Sequence, residues 1–317
     1  MNTKIFFASV LLAGFSFTVK AQIMTGSITS YGLDAGASGT ENTFYGYRAG
    51  QGVPQYGSAR YGTYIGHLAG PGNVGFSNTF LGHKTGRLNF DGNENVFIGS
   101  LAGEESSDNS KNVFIGFSAA RYNNGVNNTI IGYKAGFYNN NGNNIFLGYN
   151  AGYNETGGNK LYIANSDTPT PLIWGDFLSQ LLKFNGKVGI GMGTMAFPTT
   201  ASSYNVSSYK LIVNGGILAK EVRVSTNWAD YVFEDDYKLP SLEEIECYIE
   251  ENGHLPNVPS AKEVEEQGIE VGEMAKIQQE KIEELTLYII GQNKQLEKQG
   301  EEIKELKAAV QLLLERQ

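Results

Sequence analysis

The 317-residue sequence predicts a mainly β protein with a C-terminal α segment. Its parts are an elongated, trimeric parallel β-roll or β-solenoid head, a β-rich neck, a short α/β region and a C-terminal coiled coil. Two observations carry most of this. The motif Asn95-Val96-Phe97-Ile98-Gly99-Ser100-Leu101-Ala102-Gly103 is rewritten through the first half of the chain, and apolar residues recur every seven positions at its end. The third is composition: 40 glycines and 12% aromatic residues suit short strands joined by tight turns.

In chain order, residues 1–21 read as a secretory leader. Met1-Asn2-Thr3-Lys4 supplies a basic start, 5–19 an apolar run, and Val19-Lys20-Ala21 small residues at the cleavage position before Gln22. The run is shorter than the roughly 20 apolar residues a membrane-spanning helix needs. No cysteine follows the cleavage position, which excludes a lipid anchor there. Residues 22–40 are expected to be a linker.

The head is expected over 41–165. Its central glycines, Gly46, Gly66, Gly82, Gly99, Gly116, Gly132 and Gly148, step by 20, 16, 17, 17, 16 and 16 residues. Four residues after each comes a second small residue: Gly50, Gly70, Gly86, Gly103, Ala120, Gly136 and Gly152. Seven copies at a near-constant period mark a stacked architecture. Each copy opens with a β-branched, aromatic, aliphatic run whose middle residue faces opposite to its two flanks. Both faces are apolar, so a strand buried on two sides is expected. Clusters such as Asn139-Asn140-Asn141-Gly142-Asn143 supply the turns. At roughly 4.8 Å per rung the seven copies would span about 30–35 Å. So short a repeat cannot bury its own apolar residues, and it must stack on its neighbours and on other chains.

The pattern Asn-Val-Phe-Ile-Gly-x-x-Ala-Gly resembles the β-roll repeats in the heads of trimeric autotransporter adhesins. This chain departs from them in a longer period and in the aromatic residue before the aliphatic one (Phe80, Phe97, Phe114, Phe146).

After Leu161-Tyr162-Ile163-Ala164-Asn165, Pro169 and Pro171 open a β-rich neck over 166–224. Gly186-Lys187-Val188-Gly189-Ile190-Gly191 and Tyr209-Lys210-Leu211-Ile212-Val213-Asn214-Gly215 read as two short strands joined by a loop over 199–208. Gly189-Ile190-Gly191-Met192-Gly193 is followed by neither a helix nor a phosphate-binding lysine, so it is not a nucleotide loop. An α/β region is expected over 225–272. It holds Leu239-Pro240-Ser241-Leu242-Glu243-Glu244-Ile245, with Ser241 as a helix N-cap, and His254-Leu255-Pro256-Asn257-Val258-Pro259. Cys247, the only cysteine, lies in an amphipathic run with Leu242, Ile245 and Ile249 on one face and reads as a small hydrophobe; no intrachain disulfide can form.

Together with Val222-Arg223-Val224-Ser225-Thr226-Asn227-Trp228, these stretches resemble the C-terminal region of Bacteroidetes-type tail-fibre-domain surface proteins. More distantly they are similar to the endosialidase-type intramolecular chaperone. That resemblance implies a trimerising end piece that nucleates assembly of a β-rich fibre, and in some members a serine autoprotease. Ser225 is not followed by the expected acidic and basic residues, and a serine nucleophile needs a base within reach. It is expected to be a strand-end or capping residue.

The coiled coil is expected over 273–317. Ile282, Ile289, Leu296, Ile303 and Val310 repeat every seven residues, with Leu285, Gln292, Gln299, Leu306 and Leu313 at the partner positions. β-branched residues at the first position with leucine at the second favour two strands. The paired glutamines are compatible with three-fold layers, so the seam leaves dimer and trimer both open. Glu302 and Lys307 make a candidate interchain pair worth only a few tenths of a kcal/mol.

Few residues suggest chemistry. The three histidines, His67, His83 and His254, have no companions at metal-ligand spacing. The asparagine-rich turns lack the paired carboxylates that Ca²⁺ needs. No catalytic residue, metal or cofactor is expected. The candidate binding residues are the column Tyr47, His67, His83, Phe117, Tyr133 and Tyr149, interrupted by Ser100, which would hold a glycan or another surface ligand. The simpler expectation is that these rings pack on the next rung or between chains. The net charge of −9, concentrated in the C-terminal third, argues against nucleic acid. The expectation is therefore an exported cell-surface or extracellular fibre or adhesin subunit. Its partners would be itself, as a homotrimer, and an outer-membrane anchor or secretion protein. The rivals are a self-processing serine protease-chaperone using Ser225 and a glycan-binding module using the ring column.

Overall fold

The computed structural model describes residues 28–52, 59–107, 109–201 and 204–315, together with the backbone of 11–12, 15–16 and 22–23. Apart from two of those pairs, the expected leader lies outside the described residues. The chain divides into two compact units, residues 1–187 and 188–317.

The first unit is a β-solenoid of about eight turns. One short strand per turn, of three residues except for the four of the last, stacks on the next in parallel register: β1 (Thr29–Tyr31), β2 (Thr43–Tyr45), β3 (Thr63–Ile65), β4 (Thr79–Leu81), β5 (Val96–Ile98), β6 (Val113–Ile115), β7 (Thr129–Ile131), β8 (Ile145–Leu147) and β9 (Lys160–Ile163). Register is strict: Phe97 lies over Phe80 and under Phe114, and β1 places Thr29 against Thr43. The array thus begins inside the stretch expected to be a linker. There Thr29-Ser30-Tyr31-Gly32-Leu33-Asp34-Ala35-Gly36 is a degenerate copy of the motif in which Ser30 replaces the ring. At the other end β10 (Ile173–Asp176) and β11 (Leu181–Phe184) turn antiparallel and close the sheet. Trp174 of β10 lies beneath the ammonium groups of both Lys160 and Lys183, which sit 5.7 and 4.6 Å from the ring centroid.

The middle residue of each strand points inward and makes a continuous column: Phe44, Tyr64, Phe80, Phe97, Phe114, Ile130, Phe146 and Tyr162, all buried. Successive rings stack at 4.6–4.8 Å where Phe80, Phe97 and Phe114 follow one another, each contact worth about 0.5–1.5 kcal/mol beyond area burial. A buried alanine column (Ala49, Ala69, Ala102, Ala119, Ala135, Ala151) fills the remaining width, with Thr85 in the same place. The strand flanks, expected to be buried as well, are half-buried or exposed, because among the described residues of this unit nothing covers the outer face of the sheet.

Two buried asparagine ladders tie rung to rung. The side-chain oxygen of Asn78 accepts from the backbone N–H of Asn95 at 3.0 Å, that of Asn95 from Asn112 at 3.0 Å, and that of Asn112 from Asn128 at 2.8 Å. Each amide nitrogen donates to a turn carbonyl of the next rung, as Asn95 does to Asn109 O at 2.8 Å. The second ladder runs through Asn73, Asn89 and Asn109, with Asn73 Nδ2 donating to Asn89 Oδ1 at 2.9 Å and Asn89 Nδ2 to Asn109 Oδ1 at 2.6 Å.

Two columns strongly favour glycine. Gly99 has φ +124°, and a Cβ there would meet the carbonyl oxygen of Gly116 at 2.5 Å. Gly103 has φ +55°, and its Cβ would meet the Phe97 ring at 2.7 Å. Ala120 occupies the Gly103 position one rung on, at φ +49°. The next inward side chain there is Ile130, the one aliphatic member of the column.

In the second unit, β12 (Val188–Ile190) pairs parallel with β13 (Leu211–Val213), so the two glycine-bounded runs are strands. Within the intervening loop Thr200–Ala201 pairs with Tyr204–Asn205. A 3₁₀ turn (Asp230–Phe233) precedes helices α1 (Leu242–Asn252), α2 (Ala261–Gln267) and α3 (Val271–Leu314). Ser241 caps α1 in a capping box with Glu244, as expected, and Ser260 caps α2 with Glu263 in the same way. Cys247 is an exposed free thiol rather than a packed hydrophobe, and no residue of α1 is buried.

Candidate functional site

Two surfaces hold the candidate residues: the ring column of the solenoid and the seam of α3.

The ring column follows from the motif. The residue after each central glycine leaves the strand on the outer side of the turn, so like positions on successive rungs lie one above another. Tyr47 stacks on His67 at 5.1 Å and His67 on His83 at 5.2 Å. Phe117 stacks on Tyr133, and Tyr133 on Tyr149, each at 5.3 Å. Interplanar angles are only 7–19°. The structure thus brings the six residues together as two stacks of three, divided by Ser100. In each stack the ring faces cover one another and the edges point outward, which removes the broad aromatic platform on which a sugar would lie flat. Arg48 and Lys134 add cations near Tyr47 and Tyr133 at 5.2 and 5.5 Å.

Beside this column lies a charged stack the sequence reading passed over. The Glu104 carboxylate is buried between Arg87 (3.1 Å) and Arg121 (2.7 Å), contributed by the rungs below and above. At the closing end of the solenoid, Lys160 donates to Asp176 at 2.8 Å, and this pairing, with the Ser179 and Leu178 N–H groups, lowers the Asp176 carboxyl to about 2. Burial and the neighbouring Glu155 push the Tyr162 phenol up to about 12.

Helix α3 is amphipathic in an unusual sense. Ile282, Leu285, Ile289, Leu296, Ile303, Leu306, Val310 and Leu313 are all exposed, Ile289 at 59% and Leu306 at 64%, and Gln292 and Gln299 lie open beside them. The buried residues of the helix are Gly272, Glu280, Glu283 and Glu284. Tyr231 donates to Glu280, and Tyr237 to Glu284 at 2.5 Å. Lys281 bridges both carboxylates at 3.1 and 2.9 Å, and Tyr288 reaches Pro240 O at 2.6 Å. Burial alone would raise the Glu280 carboxyl, but the Tyr231 and Lys281 hydrogen bonds outweigh it and hold it below its ordinary range. The Glu280 hydrogen bond is the largest cause that pushes Tyr231 up to about 12. The helix therefore docks on its own chain through polar groups and leaves its apolar stripe bare.

Ser225 lies in an exposed irregular segment, and among the described residues its hydroxyl has no hydrogen-bond partner. No cluster of three or more metal-ligating side chains occurs among the described residues, and no helix there is long and apolar enough to cross a membrane. Comparisons with protein-family models, curated proteins and solved structures found no match.

Proposed function

We propose that this chain is an exported structural subunit of a cell-surface fibre or adhesin that assembles as a homotrimer through its C-terminal helices. The observation that carries the reading is the bare heptad seam of α3. A 44-residue helix, about 66 Å long, is not stable in water with such a stripe exposed, and knobs-into-holes packing against copies of itself is the ordinary way to cover it. The open outer face of the solenoid and the exposed apolar strand β11, with Leu181, Leu182 and Phe184, support the same reading: this is more apolar surface than a solitary chain usually presents. The repeat architecture, the leader-like N-terminus and the resemblance to trimeric-adhesin heads and tail-fibre end pieces point to the cell surface, with attachment through a partner protein.

The test is the molar mass in solution of residues 22–317 by light scattering on a sizing column. Three times the chain mass is expected. Twice the mass would hand the seam to the two-strand rule, and a monomer would sink the proposal. Intact mass of the same sample addresses self-processing, since a fragment ending near Ser225 would replace the structural role with a proteolytic one.

A further inference from the structure

We propose that the rung where Ser100 interrupts the ring column is a binding slot for a single pyranose ring of a glycan. Within each stack of three, the facing ring surfaces cover one another and offer only edges. At Ser100 the side chain is too small to fill its place. His83 uses one face against His67, and Phe117 uses one face against Tyr133. Their other faces look toward each other across the Ser100 rung, and among the described residues neither has a ring or cation partner there. Both walls are exposed, Phe117 at 42%.

Width selects the occupant. Two rungs of a β-stack separate the walls by about 9–10 Å. Carbon contact at about 3.5–4.0 Å from each wall takes up most of that, leaving roughly 2 Å for the body of the guest. A flat aromatic ring would touch one wall and stand off the other. A puckered chair, with C–H groups directed to both sides, engages both, and its C–H hydrogens meet the negative faces of the aromatic walls. The Ser100 hydroxyl forms the floor; it has no hydrogen-bond partner among the described residues and both donates and accepts. The slot thus deepens the adhesin reading by naming a ligand class, and it rests on that reading only for the expectation that the head meets a glycan-bearing surface.

The experiment is saturation-transfer NMR on residues 22–317 with cellotetraose, chitotetraose, mannotetraose and p-cresol as separate probes. Transfer to pyranose C–H protons is expected in the native chain. It should fall at least five-fold in Ser100→Tyr, which fills the slot by completing the column, and in Phe117→Ala. The thermal midpoint and molar mass of Ser100→Tyr should match the native chain, which separates loss of binding from loss of fold. The proposal is overturned by three results: no transfer to any of the saccharides, saccharide transfer that survives Ser100→Tyr, or Ser100-dependent transfer to p-cresol alone, which would mark a slot for a flat aromatic side chain. Molar mass on the same sample distinguishes this failure from that of the trimer, since a monomer that still binds would sink only the assembly reading.

Discussion

At the residue scale, each rung depends on a few positions with no slack. Replacing Gly103 by alanine adds left-handed strain of about 1–2 kcal/mol and an overpacking term of about 1–3 kcal/mol against the Phe97 ring. A net loss of about 2–5 kcal/mol is expected in chemical unfolding. Ala120 bears the same strain natively, and Ile130 is the compensating neighbour. Ile130→Phe should therefore be destabilising in the native background and better tolerated with Ala120→Gly. A double-mutant cycle should give a coupling of about 1–2 kcal/mol, and a coupling near zero would break the link. Asn95→Ala removes the acceptor for the Asn112 N–H and the donor to Asn109 O in a fully buried place. Leaving such groups unpaired costs about 1–3 kcal/mol each. An unchanged midpoint would mean that the ladder is incidental.

At the scale of elements, α3 faces two ways, and its two faces respond to different conditions. The inner face depends on charge. Glu280 has a folded pKa below its unfolded value of about 4.3, so its contribution is present above that value and is lost as pH falls through the folded one. Burial would lower the Lys281 ammonium, but Glu284 and Glu280 outweigh it and raise it. Its contribution is present below the unfolded value of about 10.4 and is lost as pH rises through the folded one. Protection of the amides in 230–258, taken relative to the intrinsic exchange rate at each pH, should therefore fall in acid and again in strong base, and Glu280→Gln should flatten the acid limb. The outer face is a bare apolar stripe, and in the proposed assembly it depends on association. Ile289→Asp should reduce the solution mass to that of one chain without unfolding the solenoid, read by light scattering and by circular dichroism of the β signal.

For the whole molecule, the two units have different reasons to stay folded. The solenoid gains its stability from identical steps repeated along one axis, so each rung supports only its neighbours. The second unit holds much less apolar core, with Ala229 and Val232 the buried apolar side chains among its described residues, and has most to gain from partners. Removing the C-terminal 98 residues should therefore leave the solenoid's β signal in place while abolishing the oligomer. A truncated chain that still assembles to the same mass would move the assembly interface to the outer face of the solenoid.

Much of this was legible in the chain because repeats and heptads are periodic, and period alone sets which residues share a face. The seven motif copies, the strands within them, the column through Tyr47, His67, His83, Phe117, Tyr133 and Tyr149, and the long C-terminal helix all follow from counting. The first rung was hidden because Ser30 stands where the motif wants a ring, and only pairing with β2 identifies it. The asparagine ladders were not legible, since a sequence does not say whether an amide faces water or the next rung. Ring orientation and burial likewise depend on three-dimensional placement: rings within each stack offer edges, and α3 turns Glu280, Glu283 and Glu284 inward and its leucines out. Those outcomes depend on contacts 14–50 residues apart, which no local pattern encodes.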